Sequence, residues 1–197
     1  GIRQASRFGA VIECDRVLAI HFDEREGYRV KAERGEYAAR AVILATGVSR
    51  KKPPVPGHER FEGRGVSYCV SCDGFFYRGK PVMVAGEGVY AANQALELLE
   101  YTPDVSVCTL GRPSGITEEY RRQLDERGVP VIDSEIASLE GEGALDAVAF
   151  ADGTRREVKG LFIAMGDASS VDFARTLGVF TEGGFVQVDR EMKTNAP

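Results

Sequence analysis

The stretch from Cys69 to Ala91, CVSCDGFFYRGKPVMVAGEGVYA, constrains the chain more than any other. It opens with two cysteines two residues apart, followed by Asp73 and Gly74, and closes on an apolar run that enters GEGVYA. Two thiols at this spacing can close a small disulfide and reopen it, and a helix N-terminus or a neighbouring donor can lower one thiol pKa. Asp73 stands beside them as a proton carrier for the thiolate that leaves during exchange. The competing reading is half of a structural zinc site. Such a site takes four ligands, and Cys14, Cys108, His21 and His58 are far apart in sequence with no second Cys-X-X-Cys.

The second half reads as strand, turn and helix. Pro81 to Ala85 is apolar throughout, as a strand buried in a parallel sheet requires. Gly86, Gly88 and Ala91 then fit GxGxxG/A: a tight turn, a close approach for a pyrophosphate, and close helix–strand packing. The helix expected over 89–100 carries Ala91, Ala92, Ala95, Leu96, Leu98 and Leu99, and its free N–H groups would face a phosphate. The alternative is a tight turn that holds no ligand.

Composition narrows the rest. With 197 residues and 43% hydrophobic content the chain can bury one good core or two modest ones. A net charge of −5 gives nucleic-acid binding no electrostatic support. No apolar run approaches the ~20 residues of a membrane span, and no secretory signal is visible. Four cysteines with a single Cys-X-X-Cys suit a reducing cytoplasm, with Cys14 and Cys108 expected as small buried hydrophobes.

Along the chain, residues 1–8 read as a helix tail. Residues 10–20, 28–32 and 36–39 read as the strands of a meander, turned at Glu26-Gly27 and Arg34-Gly35. Ala41 to Gly47 reads as a continuous apolar strand whose Thr-Gly end suits a cofactor contact. Ser49 to Gly57, stiffened by Pro53, Pro54 and Pro56 and wetted by Arg50, Lys51 and Lys52, marks a domain boundary, with the linker taken as 49–65. His58 is expected to be solvated. Neither it nor His21 has a Ser or Cys partner in a triad arrangement. Strand 104–109, helix 117–127 capped by Thr117, and strand 129–133 complete a βαβαβ order with right-handed crossovers. Residues 136–139, 144–151 and 154–158 form a second meander, turned at Asp152-Gly153. Strand 160–165 ending in Gly166, helix 171–177 and strand 185–189 follow. Residues 10–47 and 136–166 echo each other. The expected fold is therefore α/β, with two Rossmann-like modules, each carrying an antiparallel meander. The first module (1–48, resumed over 171–197) is incomplete and interrupted by the second (66–170).

AVILATG at 41–47, PPVPG at 53–57, SYCVSCDGFFYRGKPVMVAGEG at 67–88, GLFIAMG at 160–166 and VDREMKTNAP at 188–197 together make the chain resemble the low-molecular-weight thioredoxin reductase family. The resemblance implies an FAD module and a pyridine-nucleotide module, with electrons passing from NADPH to FAD, to the disulfide, and on to thioredoxin or a similar small disulfide protein. It implies that Cys72 faces the flavin, that Cys69 exchanges with the protein substrate and that Asp73 donates the proton. It places Ala45, Thr46 and Gly47 near FAD, with Gly166 a further cofactor contact. Gly86, Gly88 and Ala91 fall near the pyrophosphate, and Arg112 is left to meet the 2′-phosphate. It implies a cytoplasmic homodimer and no metal.

The chain also departs from the family's pattern. It has no GxGxxG before Cys69 and no closing Gly-Asp motif, so the resemblance implies a fragment that holds FAD poorly and purifies colourless. Val89 and Tyr90 replace small or polar residues, with Tyr90 expected on the nucleotide path. Thr109-Leu110-Gly111-Arg112 stands where NADPH-using members carry a His-Arg-Arg cluster. Two further readings stay open. One is a similar protein with a degenerate nucleotide site that takes electrons from another donor, such as ferredoxin. The other is a non-catalytic binding protein on the same fold.

Overall fold

The computed structural model describes residues 1–46, 53–165, 170–182 and 185–196. A short helix α1 (Ile2–Arg7) precedes the antiparallel strands β1 (Val17–Asp23), β2 (Gly27–Ala32) and β3 (Glu36–Ala39), paired in that order. After α2 (His58–Phe61) come β4 (Val66–Ser67), α3 (Val70–Asp73) and a 3₁₀ turn, Gly74–Tyr77. Next are β5 (Val82–Ala85), α4 (Val89–Leu98), β6 (Val105–Cys108), α5 (Glu118–Glu126) and β7 (Val131–Ile132). A second antiparallel trio, β8 (Ile136–Glu140), β9 (Ala147–Phe150) and β10 (Arg155–Glu157), leads to β11 (Gly160–Ile163). Helix α6 (Ser170–Thr176) and the paired strands β12 (Thr181–Glu182) and β13 (Phe185–Val186) close the described chain.

The molecule is mixed α/β around a parallel five-stranded sheet, ordered β4-β11-β5-β6-β7. Side chains alternate across it, as the two-residue period of a strand demands. Val82 and Val84 meet α4, Leu98 and Leu124 on one face, while Met83 and Ala85 meet Leu139, Val148 and Leu161 on the other. Helix α5 buries only Tyr120 and Leu124, a stripe one turn apart on an otherwise charged helix. Thr117 stands at its N-cap without a side-chain cap hydrogen bond. Helix α4 is buried on nearly every side, with Ala91, Ala92 and Ala95 at 0% exposure. Leu18, Ile20 and Tyr28 of the β1–β3 sheet share its core.

Several expectations are corrected. Residues 41–46 form no strand, and Ile43 is 92% exposed. An apolar run becomes a strand only against a hydrogen-bonding neighbour, and none pairs with it among the described residues. The first strand begins at Val17, so Cys14 is exposed; Cys108, on β6, is buried as expected. Residues 53–65 are anchored rather than free: Val55 and Phe61 are at 2% and 1% exposure in the core of the second face. His58 is buried, its ring Nδ1 donating to the Val55 carbonyl at 2.9 Å. Between that segment and β4, Gly65 adopts φ +128°, and a β-carbon there would lie 2.2 Å from Leu145 Cβ, so only glycine fits.

Candidate redox site

Cys69 leaves β4 in an extended conformation and caps α3, its Sγ accepting the Cys72 N–H at 3.2 Å. The two cysteines are joined in a disulfide with Cα atoms 5.3 Å apart. Their exposure differs: Cys69 is buried at 7%, whereas Cys72 is open to solvent. Asp73 ends the same helix, its N–H donating to the Cys69 carbonyl at 3.1 Å. Its Oδ2 accepts the Ser67 hydroxyl at 2.6 Å, and Ser67 Oγ accepts the Cys69 N–H at 3.1 Å. Ser67 thus ties the carboxylate to the cysteine loop. Sequence reasoning missed it, although it stands two residues before Cys69 on a strand only two residues long.

The walls of this loop come from its own flanks and from α6. Tyr68 donates its hydroxyl to Glu62 at 2.6 Å, and the Arg175 guanidinium lies 5.3 Å over its ring. Burial, reinforced by the Glu62 hydrogen bond and charge, pushes the Tyr68 phenol well above its ordinary pKa. Burial also raises Tyr77, with the Asp73 charge adding to it. The Arg175 carbonyl of α6 lies 3.5 Å from Cys72 Sγ. Phe75 and Phe76, on the 3₁₀ turn beside the disulfide, are 59% and 67% exposed.

The expected cofactor residues fall in two places. Ala45 and Thr46 lie on the exposed 41–46 segment, and Thr46 edges an open cavity of about 620 Å³ with Arg16, Glu33, Arg34 and Phe173. Phe173 also borders the small cavity at Cys69, so α6 connects the two. The open volume suits a flavin in part, but neither Cys72 nor a glycine-rich turn is among the described residues that line it. Gly47 and Gly166 lie outside the described residues. The other group gathers at the β5–α4 turn. A β-carbon on Gly86 would sit 2.1 Å from the Ala164 carbonyl oxygen, and Ala91 packs directly beneath it. Gly88 occupies the N-cap of α4.

That turn does not present an open cradle for a pyrophosphate. Glu87 stands between the glycines, and Arg112 Nη1 lies 3.5 Å from its Oε1. Gly115 donates its N–H to the Glu87 carbonyl at 2.7 Å and is bridged to Gly88. Arg112 is therefore turned onto an internal carboxylate. Tyr90, expected on the nucleotide path, points instead into the core at 6% exposure and lines the cavity at Cys69. As they stand, the residues of this turn do not fit a dinucleotide.

The family model for pyridine nucleotide-disulphide oxidoreductases matches residues 5–197. The chain belongs to that family. Members of the pyridine nucleotide-disulphide oxidoreductase family bind a flavin and a pyridine nucleotide. The chain is 57% identical to an atypical thioredoxin reductase from Desulfovibrio vulgaris Hildenborough, with a TM-score of 0.95 over 100% of this chain and 66% of that one. It is 31% identical to a thioredoxin reductase of Listeria innocua, over 98% of this chain and 63% of the relative. It is 25% identical to a ferredoxin-flavin thioredoxin reductase from Clostridium acetobutylicum, with a TM-score of 0.61 over 99% of this chain and 64% of that one. The chain thus spans a little under two thirds of the length of these family members. Among the described residues no helix is long and apolar enough to cross a membrane, and no cluster of metal-ligating side chains is present.

Proposed function

We propose that the Cys69–Cys72 pair is the working disulfide of a thioredoxin-reductase-type oxidoreductase. It accepts an electron pair and two protons, then returns them to the disulfide of thioredoxin or a similar small protein. The observation that carries this reading is the asymmetric pair itself: one sulfur open, the other capped by a backbone N–H. A bound flavin would supply the electron pair at the exposed Cys72 sulfur. Reduction breaks the S–S bond, and the Cys72 N–H that meets Cys69 Sγ then stabilises a thiolate there, favouring Cys69 as the attacking nucleophile. Asp73, fixed by Ser67, lies in the loop as the proton carrier. Cys69 attacks the partner's disulfide to form a mixed disulfide and release one partner thiolate, which is protonated. Cys72 then attacks Cys69, restoring the internal bond and releasing the partner's second thiol. The exposed Phe75 and Phe76 provide an apolar landing beside the sulfurs.

In this reading residues 1–48, with Ala45, Thr46 and Gly47 as cofactor contacts, and residues 171–197 belong to a flavin module, and Gly166 is a further cofactor contact. Residues 49–65 connect it to a module over 66–170, and the protein works as a cytoplasmic homodimer, whose mass sedimentation equilibrium would report. The decisive test uses single-cysteine variants and a thioredoxin whose lone thiol carries a thionitrobenzoate leaving group. Cys72→Ser is expected to release that group and form a mixed disulfide through Cys69 at least about tenfold faster than Cys69→Ser. Equal rates would refute the assigned roles, and no trapping by either variant would refute the reading.

A second reading concerns only the electron donor. The Clostridium acetobutylicum neighbour is named for ferredoxin. The occupied β5–α4 turn favours such a donor here, with two one-electron carriers supplying the pair. Photoreduced ferredoxin that leaves Cys69 and Cys72 unlabelled by a thiol reagent would count against it.

A further inference from the structure

A helix N-terminus holds a dinucleotide's pyrophosphate when its free N–H groups and a bare glycine turn face open space. In this chain residues 109–116 fold back over that space. Leu110, at φ +61° and 5% exposure, and Gly111, at φ +68°, reverse the backbone after β6. The Arg112 N–H closes the turn onto the Thr109 carbonyl at 3.2 Å. Arg112 thereby reaches Glu87, and Gly115 pairs with the main chain at Glu87 and Gly88. Glu87 Oε1 faces Arg112, while Oε2 is buried with no hydrogen-bond partner among the described residues, which leaves one unsatisfied acceptor oxygen inside the turn. A phosphate brought to this turn would meet an acceptor oxygen that has no proton to give it, on a backbone already bonded to Gly115, while the Arg112 guanidinium is held by the same carboxylate.

We propose that Glu87, braced by Arg112 and Gly115, is a built-in plug at the pyrophosphate position, so that the chain takes no pyridine dinucleotide at this turn. The proposal rests on the disulfide reading only in that the traffic thereby diverted is electrons; the closure of the turn stands on its own geometry. It assigns a role to the residue between the two glycines and explains why Arg112 is turned inward.

The test is an equilibrium titration of the whole chain with NADH and NADPH, following nicotinamide fluorescence. Wild type is expected to show no saturation up to about 1 mM. Glu87→Ser, which removes both charge and bulk, is expected to bind at least tenfold tighter than that limit, and the near-isosteric Glu87→Gln to gain less. Arg112→Ala, which strips the carboxylate of its counter-charge, is expected to gain nothing. Melting curves confirm that each variant is folded; should Glu87→Ser fail to fold, Glu87→Gln carries the test. Saturation of wild type at micromolar nucleotide overturns the plug. So does continued inertness of both Glu87 variants when they melt like wild type. Thiol titration of Cys69 and Cys72 in the same samples separates the two proposals. A dead disulfide beside an inert turn sinks the proposed function alone, and nucleotide binding beside a live disulfide sinks the plug alone.

Discussion

Asp73 shows how a short motif depends on a residue outside it. The cysteine spacing and the acid beside it are legible in the sequence, because chemistry sets them within five positions. The Ser67 hydroxyl that holds the carboxylate was not, since nothing in a two-residue strand announces a side-chain hydrogen bond. Asp73→Asn is expected to slow exchange with a protein disulfide about 10²- to 10⁴-fold in stopped-flow assays. Ser67→Ala should act in the same direction but less strongly, as it loosens the group without removing it. Glu97 offers a separate check on burial. Burial on α4 raises its pKa above the ordinary 4.5, opposed by the Gln94 hydrogen bond. The folded chain therefore holds the Glu97 proton more tightly than the unfolded chain does. Stability is full below about 4.5 and declines as pH rises through the folded value. Glu97→Gln is expected to raise the melting temperature at pH 7, with the advantage vanishing below pH 4.5; an advantage constant across pH would contradict this assignment.

At the scale of elements, periodicity served where each element finds its own partners. The β5–α4 unit was readable because four buried residues and an alanine-lined helix pack against each other. The 41–46 run was not, because a strand is a relation between two segments and composition reports only one. Residues 53–65 misled for the opposite reason: Pro53, Pro54 and Pro56 beside a basic run read as a solvated linker, while Val55 and Phe61 are anchored in the core. Truncating Leu124, fully buried on α5, is expected to cost about 2–5 kcal/mol in urea unfolding. Gly65→Ala is expected to cost at least about 1–3 kcal/mol, since it meets both a positive φ and the Leu145 side chain.

For the whole molecule, the sharing of one core by β1, β2 and α4 matters most. Leu18, Ile20 and Tyr28 share a core with α4 residues about sixty to eighty positions away. Residues 17–32 therefore should not melt as a separate unit. Leu18→Ala is expected to lower the urea midpoint of a single transition by an amount equivalent to about 2–5 kcal/mol. Tyrosine fluorescence and far-ultraviolet circular dichroism should trace that transition together, and two resolved transitions would show instead that the meander unfolds alone.

The strand order β4-β11-β5 has a temporal meaning. The segment at 160–163 wedges between two strands synthesised about 78 and 95 residues earlier. On a nascent chain β4 has no neighbour in the five-stranded sheet until that late segment arrives, because β11 is the strand it pairs with there. Chains halted before Gly160 are thus left with a split sheet, and they should be the species that chaperones and proteases meet first.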